Sequence, residues 1–322
     1  MAHEIEMVGD VAQMAYVGDV PWHGLGVKVP ADLTSDQMLK AAGLDWTVKK
    51  VKAYAVDQDN DDEVYDIGRS ALIRSSDGKL LDVVSEDWNP VQNRTAFDFF
   101  DEYVRAGDME MHTAGSLKQG QIVWGLAKIK QSFELFKGDQ IDSYMLFSNF
   151  HKYGFSTDVR FTPIRVVCNN TLTLSLNSKV ERMVKISHRK VFDPGNVKEM
   201  LGIATDKLMK YKEMATFLGS KQAKGEDIVE YFKRIFPVSG SNEKKTKEMS
   251  KNAQNAMSIL HSQPGANFAE GTWWQPFNAV TYLTDHLAGR SADTRLTSAW
   301  YGSNKNLKTK ALELAVEMAE AA

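Results

Sequence analysis

The sequence is poor in the residues that build disulfide scaffolds and rigid linkers. It contains a single cysteine, Cys168, and 8 prolines among 322 residues. One cysteine forms neither an internal disulfide nor a cysteine-based zinc site, and this pattern is typical of proteins kept in a reducing cytosol. We therefore expect a cytoplasmic chain without a disulfide framework.

Long apolar runs and known nucleotide motifs are also missing. No run approaches 18 consecutive apolar residues, so we expect no transmembrane helix. The opening segment, MAHEIEMVGD, has no basic region followed by an apolar one, so we expect no secretory signal. The chain has no Walker loop, and Gly24-Leu25-Gly26 lacks the later glycine of a dinucleotide fingerprint. These absences disfavour an ATP-driven motor and a Rossmann-type cofactor site.

Charge is distributed unevenly along the chain. Residues 1–120 contain 11 Lys and Arg against 22 Asp and Glu, a net charge of -11. Residues 121–322 contain 28 basic and 20 acidic residues, a net charge of +8, and residues 152–251 alone reach +9 with 20 against 11. Such asymmetry fits polyanion binding by the basic part, but also an ordinary solvated surface or acidic and basic faces that meet between subunits.

The order of predicted elements indicates an α+β protein. A short helix capped by Thr34 or Ser35 precedes three strand-like runs at 46–56, 67–75 and 80–85, joined in part by the hairpin signal Asp77-Gly78. A helix ending near Gly107 and further strands at 121–130, 142–147 and 162–175 follow, and from residue 196 the pattern is helical. We predict an N-terminal arm (1–30), an α+β core with a candidate nucleic-acid-binding surface (31–190) and a mainly helical C-terminal region (191–322).

Acidic residues at alternate positions 57, 59 and 61 imitate the start of a calcium-binding EF-hand loop. The sixth position is Asp62 instead of glycine, and the twelfth is Gly68 instead of glutamate. We interpret the segment as a solvated hairpin loop. We also interpret Asn278, Tyr282, Asp285 and His286 as a buried polar network that orients a helix, since no second histidine four residues away completes a metal pair.

The region from Tyr144 to Lys190 combines aromatic and basic residues. Aromatic side chains stack on bases of any sequence, and Lys and Arg neutralise phosphates. The candidate nucleic-acid-binding residues are Lys152, Tyr153, Phe155, Arg160, Arg165, Lys179, Arg182, Lys185, Arg189 and Lys190. The spacing alone fits equally an apolar core with an exposed basic face, so both interpretations stay open.

Four segments resemble a known family. PWHGLG at 21–26, PIRVVCNNTL at 163–172, NAVTYLTDHLAGR at 278–290 and NLKTKALELA at 306–315 are similar to signature segments of the phage- and plasmid-encoded "phage/plasmid-like protein" family. That family carries a domain of unknown function. Tyr282-Leu283 departs from its pattern, in which an acidic residue precedes an aromatic one, so a role of this helix carried over from the family is in question.

The predicted helix, three strands and helix resemble a second group, the ring-forming single-strand annealing proteins of homologous recombination. This resemblance implies a β-β-β-α core in which the three antiparallel strands pack beneath the helix. It implies a protein that binds single-stranded DNA and anneals complementary strands without ATP, metal or cofactor, and without catalytic residues. Its expected partners are further copies of the chain in a ring, and a phage exonuclease or a host single-strand-binding protein, but no membrane.

Two function classes follow from the sequence. The first is a DNA-annealing protein of recombination or replication in the cytoplasm of an infected or plasmid-bearing bacterial cell. The second is a protein-binding counter-defence or regulatory factor, in which the basic surface meets an acidic partner. An enzyme is the least favoured class because no carboxylate cluster suited to a metal stands out.

Overall fold

The computed structural model describes residues 4–21, 24–60, 63–165, 170–171, 185–186, 188, 198–238, 248–288 and 294–321. The chain divides into two compact units. Unit 1 comprises Met1–Lys130, Met145–Arg160 and Leu176–Leu201, and unit 2 comprises Gln131–Tyr144, Phe161–Ser175 and Gly202–Ala322. The protein is a mixed α and β structure with several sheets and a helical C-terminal part, as the α+β prediction requires.

In the described ranges, the strands form three sheets. Their bounds are β1 (Met7–Val8), β2 (Val11–Ala12), β3 (Met14–Tyr16), β4 (Val27–Lys28), β5 (Val48–Val56), β6 (Val64–Arg74), β7 (Leu80–Ser85), β8 (Met109–Leu117), β9 (Ile122–Phe136), β10 (Asp139–Phe150), β11 (Thr157–Arg165), β12 (Asn170–Thr171) and β13 (Lys185–Ile186). The large sheet has the order β12-β11-β10-β9-β8-β3-β4, and β13 also pairs with β11. Strands β1 and β2 form a small ribbon, and β5, β6 and β7 form a separate sheet.

The helices concentrate after residue 197. Their bounds are α1 (Ser35–Ala41), α2 (Asn93–Ala106), α3 (Lys198–Ser220), α4 (Gly225–Ile235), α5 (Lys251–Ile259), α6 (Trp274–Tyr282), α7 (Arg295–Tyr301) and α8 (Ser303–Ala321). A π-helical turn, Leu283–Leu287, continues α6. Within the described ranges, no helix combines the length and the apolarity that crossing a membrane requires.

The predicted run of three antiparallel strands after α1 is confirmed. Strand β6 pairs antiparallel with both β5 and β7. The turn between β6 and β7 contains Gly78 at φ 71°, a left-handed conformation that favours glycine. Helix α1 begins at the predicted position because the Thr34 hydroxyl accepts the amide of Gln37, whose side chain accepts the Thr34 amide in return.

The predicted packing of α2 on these three strands is wrong. Helix α2 instead packs on the large sheet through a row of phenylalanines. Gly125 of β9 leaves room for the Phe97 and Phe100 rings, because a Cβ there would lie 3.2 and 3.1 Å from them. On β10, Phe147 packs 5.4 Å from the Phe99 ring. The β-β-β-α order is therefore present, but its helix covers a different sheet.

Unit 2 has an aromatic core of its own. The rings of Tyr231 and Trp273 pack edge to face at 5.7 Å, and the Tyr231 hydroxyl donates to the Ala311 carbonyl of α8 at 3.0 Å. The Trp274 indole donates to the Asp139 carboxylate at 3.1 Å. Edge-to-face pairs and satisfied polar tips are the arrangement that large aromatic side chains favour in a core.

Candidate nucleic-acid interface

The loop between β10 and β11, residues 151–156, exposes two aromatic side chains. We call it the aromatic loop. Tyr153 is 48% and Phe155 47% exposed. Gly154 has φ 80°, and the Phe155 amide approaches the Lys152 carbonyl at 3.4 Å, so the chain reverses between the two strands. The turn presents both rings of the predicted stacking residues on the surface of unit 1.

Each exposed ring has a cation over it. The Arg69 guanidinium lies 5.6 Å from the Tyr153 ring centroid, and the Lys152 ammonium lies 5.8 Å from the Phe155 ring centroid. Both distances fall within the range of cation–π attraction. Phe155 also stacks at 5.2 Å and 18° on Phe150, a buried ring of β10. Arg69 reaches this site from β6, and no local sequence pattern links it to the loop.

Two backbone and side-chain contacts hold the loop in place. The Tyr153 amide donates to the Asp82 carboxylate of β7 at 2.8 Å. The His151 amide donates to the Gln121 carbonyl at 2.8 Å. These bonds tie the loop to two separate sequence segments of unit 1, and a fixed platform loses little entropy when a base stacks on it.

A neutral polar network lies directly under the loop. His151 is fully buried, and its Nε2 lies 2.8 Å from the Asn93 side-chain oxygen. Because that oxygen only accepts, Nε2 carries the proton. The Asn93 amide in turn donates to the Leu44 carbonyl at 3.0 Å. Burial, and secondarily the charge of nearby His188, lower the pKa of His151 to about 3, so the imidazole is neutral at pH 7.

A second pair of side chains completes this network. The Thr157 hydroxyl donates to the Asn149 side-chain oxygen at 3.0 Å, and the Asn149 amide donates to the Val91 carbonyl at 2.8 Å. Both side chains are fully buried. Asn149 precedes the aromatic loop and Thr157 follows it, so this bond closes the base of the loop.

His188, which follows β13, is held to the same unit by contacts with Trp88 and Asn89. Its Nδ1 lies 3.0 Å from the Asn89 carbonyl, and its own carbonyl accepts the Asn89 amide at 2.9 Å. Its ring stacks on Trp88 at 4.0 Å and 21°. Burial lowers the pKa of His188 to about 4, against the raising effect of the Asn89 bond. Strand β13 pairs Lys185 with Asp158.

The remaining predicted contact residues have different outcomes. Arg160 is only 9% exposed, and its guanidinium bonds the buried Asp158 carboxylate through Nε at 3.1 Å. It therefore faces the interior and not a surface groove. Arg165 and Lys185 lie on β11 and β13. Lys179, Arg182, Arg189 and Lys190 lie outside the described residues, as does Cys168.

Of the four polar residues predicted to form a buried network here, Asn278 and Asp285 are buried, whereas Tyr282 and His286 are half-buried, and Asp285 has a partner that the sequence did not indicate. The Lys308 ammonium donates to the Asp285 carboxylate at 2.6 Å, and the two side chains are 0% and 5% exposed. Asn278 donates to the Trp274 carbonyl of its own helix at 2.7 Å. His286 packs on Tyr282 at 4.8 Å. The segments 278–290 and 306–315, singled out separately in the sequence, are thus joined by an ion pair.

One cavity of about 380 Å³ opens beside Trp46 and Arg74 of unit 1. The Arg74 guanidinium is already bonded to Glu6 at 2.5 Å and to Asp77 at 2.6 Å. The hydrogen bond from Arg74 is the chief reason why the pKa of the Asp77 carboxylate is lowered to about 2. The Arg74 cation is therefore already engaged by two carboxylates, and Asp45 adds a further acidic side chain to the lining of the cavity. In the part of the chain that the structure describes, no group of three or more His, Cys, Asp or Glu side chains is placed to hold a metal ion.

Comparison with known families gives one match. The model of the family described as Domain of unknown function (DUF932) matches residues 80–300, about two thirds of the chain. The protein therefore belongs to the DUF932 family. Comparisons with curated proteins and with solved structures found no match.

Proposed function

We propose that this member of the DUF932 family binds single-stranded DNA and anneals complementary strands without ATP, in recombination or replication. The aromatic loop is the observation that supports the proposal. Two half-exposed rings, each with a cation within 6 Å, form a platform on which bases of any sequence can stack. Duplex DNA hides its base faces, so such a platform favours single strands.

In this proposal, the phosphate contacts come from the basic stretch, residues 179–190. The β11–β13 pairing places the Lys185 backbone beside Asp158, three residues after Phe155. Three residues span at most about 10 Å, roughly the length of one or two nucleotides. Lys179, Arg182, Arg189 and Lys190 flank Lys185 in the sequence, and Arg165 ends β11. Arg160 has no part in phosphate binding here because Asp158 already neutralises it.

The proposal is tested by titrating labelled single-stranded DNA, duplex DNA and RNA at about 50 and about 200 mM salt, with fluorescence anisotropy as the readout. We expect tightest binding to a single-stranded nucleic acid and an affinity that falls steeply with salt. Annealing of complementary strands without ATP is followed by quenching of paired fluorophores. A parent protein that binds none of the three nucleic acids would reject the proposal.

Stacking and phosphate contacts are distinguishable by their salt dependence. Tyr153→Ala and Phe155→Ala should each weaken binding by about 1–3 kcal/mol, roughly 5- to 150-fold, with an unchanged salt slope. Arg69→Gln should lower the slope by about 0.7 to 1 if Arg69 contacts a phosphate. Met209→Ala, which alters a side chain 51% exposed on α3, is the matched control and should bind like the parent.

Charge reversal tests the basic stretch. Arg182→Glu, Lys185→Glu and Arg189→Glu together should abolish annealing and leave the thermal midpoint nearly unchanged, because phosphate attraction becomes repulsion. Arg105→Glu, at an exposed position of α2, is the control. A triple variant that anneals like the parent would assign the stretch to a solvated or subunit-facing surface.

One observation favours the second candidate, a protein-binding counter-defence or regulatory factor. The hairpin between β5 and β6 exposes apolar side chains and carries only acidic charge at its end. Such a surface repels nucleic acid and suits a protein partner. This candidate would replace DNA annealing if the parent protein binds no oligonucleotide. Tyr153→Ala and Phe155→Ala should then leave its binding to a protein partner unchanged.

A further inference from the structure

The cavity beside Trp46 in unit 1 has no lining residue from the aromatic loop. Its walls come from the segment of β1 and β2, from the loop between α1 and β5, and from the end of β6 with the turn that follows. We call it the Trp46 cavity, and its chemistry depends on Val8, Gln13, Asp45, Trp46, Arg74 and Asp77. Its volume of about 380 Å³ lies within the range of about 300–1,000 Å³ that is typical of small-molecule sites.

The guanidinium of Arg74 is a fixed and incompletely bonded part of the lining. The side chain is almost completely buried, and its guanidinium lies 5.4 Å from the Trp46 ring centroid. Nε and Nη2 donate to Asp77, and Nη1 donates to Glu6. A guanidinium has five N–H donors, so two of them have no acceptor within the described part of the chain. A buried donor of this kind favours a ligand that brings an oxygen.

Acidic charge exceeds basic charge around the cavity. Glu6 and Asp77 already offset Arg74, and the exposed Asp45 adds a carboxylate that has no ion-pair partner in the ranges that the structure describes. Lys79, whose charge also acts on Asp77, still leaves one negative charge in excess. The cavity therefore repels phosphates and other anions, and it attracts cations.

The remaining walls suit an organic cation better than a single metal ion. Val8 and Trp46 offer apolar surface, along which the methylene chain of an amine is buried while its charged end stays polar. The side-chain amide of Gln13 also lines the cavity, and none of the described residues bonds it. It lies against Gly43, where a Cβ would overlap its oxygen, so the glycine keeps the amide in this wall.

We propose that the Trp46 cavity binds a small organic cation that carries an ammonium or guanidinium group and an oxygen acceptor. The cationic group donates to Asp45 and Asp77, the oxygen accepts from the free N–H groups of Arg74, and the carbon chain lies against Trp46. The source of such a cation is either a free hydroxylated amine or a lysine or arginine of another protein, with its backbone carbonyl. The inference goes beyond DNA binding, and either can fail without the other.

The experiment titrates the full chain with two matched pairs of probes and measures binding by calorimetry. Nα-acetyl-lysinamide carries the ammonium, and Nα-acetyl-norleucinamide lacks it, so the first should bind at least about tenfold more tightly. Ethanolamine should bind several-fold more tightly than ethylamine, which has no oxygen for Arg74. Tighter binding of the capped lysine than of ethanolamine assigns a protein side chain as the source, and the reverse order assigns a free amine.

Three isosteric variants locate the site. Asp45→Asn should weaken binding of the capped lysine by about tenfold, because a charge-assisted hydrogen bond becomes a neutral one. Gln13→Glu adds a carboxylate of the same shape to the cavity and should tighten binding several-fold. Asp59→Asn is the matched control, since it removes the same charge from an exposed position outside the cavity and should bind like the parent.

Folding and DNA binding serve as independent readouts. Asp45 and Asp59 are exposed and Gln13 is half-buried, so the thermal midpoint of each variant should stay near that of the parent. A parent that binds neither the capped lysine nor ethanolamine overturns the inference, and so does an Asp45→Asn variant that binds like the parent. A parent that binds the capped lysine but no single-stranded DNA rejects the proposed function and keeps the cation site.

Discussion

Two buried polar centres, one in each unit, hold their polar side chains together by different chemistry. Under the aromatic loop, His151 and Asn93 share a hydrogen bond between neutral groups. At the π-helical turn of unit 2, Lys308 and Asp285 meet as full charges at 2.6 Å. Both centres are almost completely buried, yet only the second requires an ion of each sign to be present.

This difference predicts how each centre fails. A neutral hydrogen bond contributes about 1 kcal/mol net, and it is vulnerable to pH when one partner is a histidine. A buried ion pair adds little stability relative to an apolar pair, but loss of one partner leaves an uncompensated charge. The unit 1 centre should therefore fail gradually with acid, and the unit 2 centre should fail abruptly with a single substitution.

Removal of the Lys308 ammonium should have the largest effect. Lys308→Met leaves the Asp285 carboxylate buried without its cation, and we expect a loss of about 3–5 kcal/mol in the free energy of unfolding. Urea denaturation followed by circular dichroism measures this loss. The control combines Lys308→Met with Asp285→Leu, which removes both charges and should recover most of the stability. A single variant as stable as the parent would show that the pair is dispensable.

Acid should have the next largest effect, through His151. Its folded pKa of about 3 lies below the ordinary value of 6.5, so the unfolded chain binds more protons between these pH values. The stabilisation is complete above pH 6.5 and is lost as the pH falls towards 3. At pH 5 the loss from His151 alone is about 2 kcal/mol.

The pH dependence is measured by denaturant unfolding at several pH values between 7 and 4. His151→Gln keeps a donor for Asn93 but cannot titrate, so its stability should change less steeply over this range. His188, with a pKa lowered to about 4, contributes in the same direction and remains in the variant. Identical slopes for parent and variant would contradict the assignment of a neutral, buried His151.

Local signals in the sequence predicted the elements whose ends depend on nearby residues. Thr34 caps α1, Gly78 lies in the β6–β7 turn, and Gly107 ends α2 in a left-handed conformation. Each of these residues acts through its own backbone or through a partner a few positions away. That is why these boundaries are readable without knowledge of the tertiary structure.

The sequence does not predict strand β8, because this strand lacks such local signals. Its buried residues include Thr113, Gly115 and Ser116, which have no strand-like pattern. Gly115 pairs with Trp124 across the sheet, and a Cβ at Gly115 would lie 2.9 Å from the indole. Ser116 donates to the Glu6 carboxylate at 2.7 Å, 110 positions away in the sequence. Contacts between distant segments determine this strand, and local propensity does not encode them.

The candidate site likewise combines residues that local sequence patterns reveal with residues that only distant contacts bring in. Tyr153 and Phe155 were recognisable as aromatic residues within a basic stretch, but Arg69 reaches Tyr153 from a strand 84 positions earlier. The basic stretch of sequence predicts Arg160 as a surface cation, although Asp158 lies two positions before it. Positions two apart on a strand share a face, so the alternation already indicated an ion pair. For Lys308, the partner Asp285 is 23 positions away, and no local pattern connects them.

The smallest predicted effect compares one hydroxyl from each centre. Thr157 donates to the side-chain oxygen of Asn149, whereas Thr284 donates to the Val280 and Thr281 carbonyls of the preceding turn. Both threonines are at most 1% exposed. Thr157→Val preserves shape but leaves a buried amide oxygen without its donor, so it should cost about 1 kcal/mol or slightly more.

Thr284→Val is the matched control for this substitution and should cost less, because helix carbonyls are already engaged by the backbone. Shifts of the urea midpoint at constant m-value measure both costs. The Thr157–Asn149 bond also closes the base of the aromatic loop, so Thr157→Val should weaken binding of single-stranded DNA several-fold, and Thr284→Val should not. Equal effects of the two variants on DNA binding would show that the neutral network supports the fold but does not position the stacking rings.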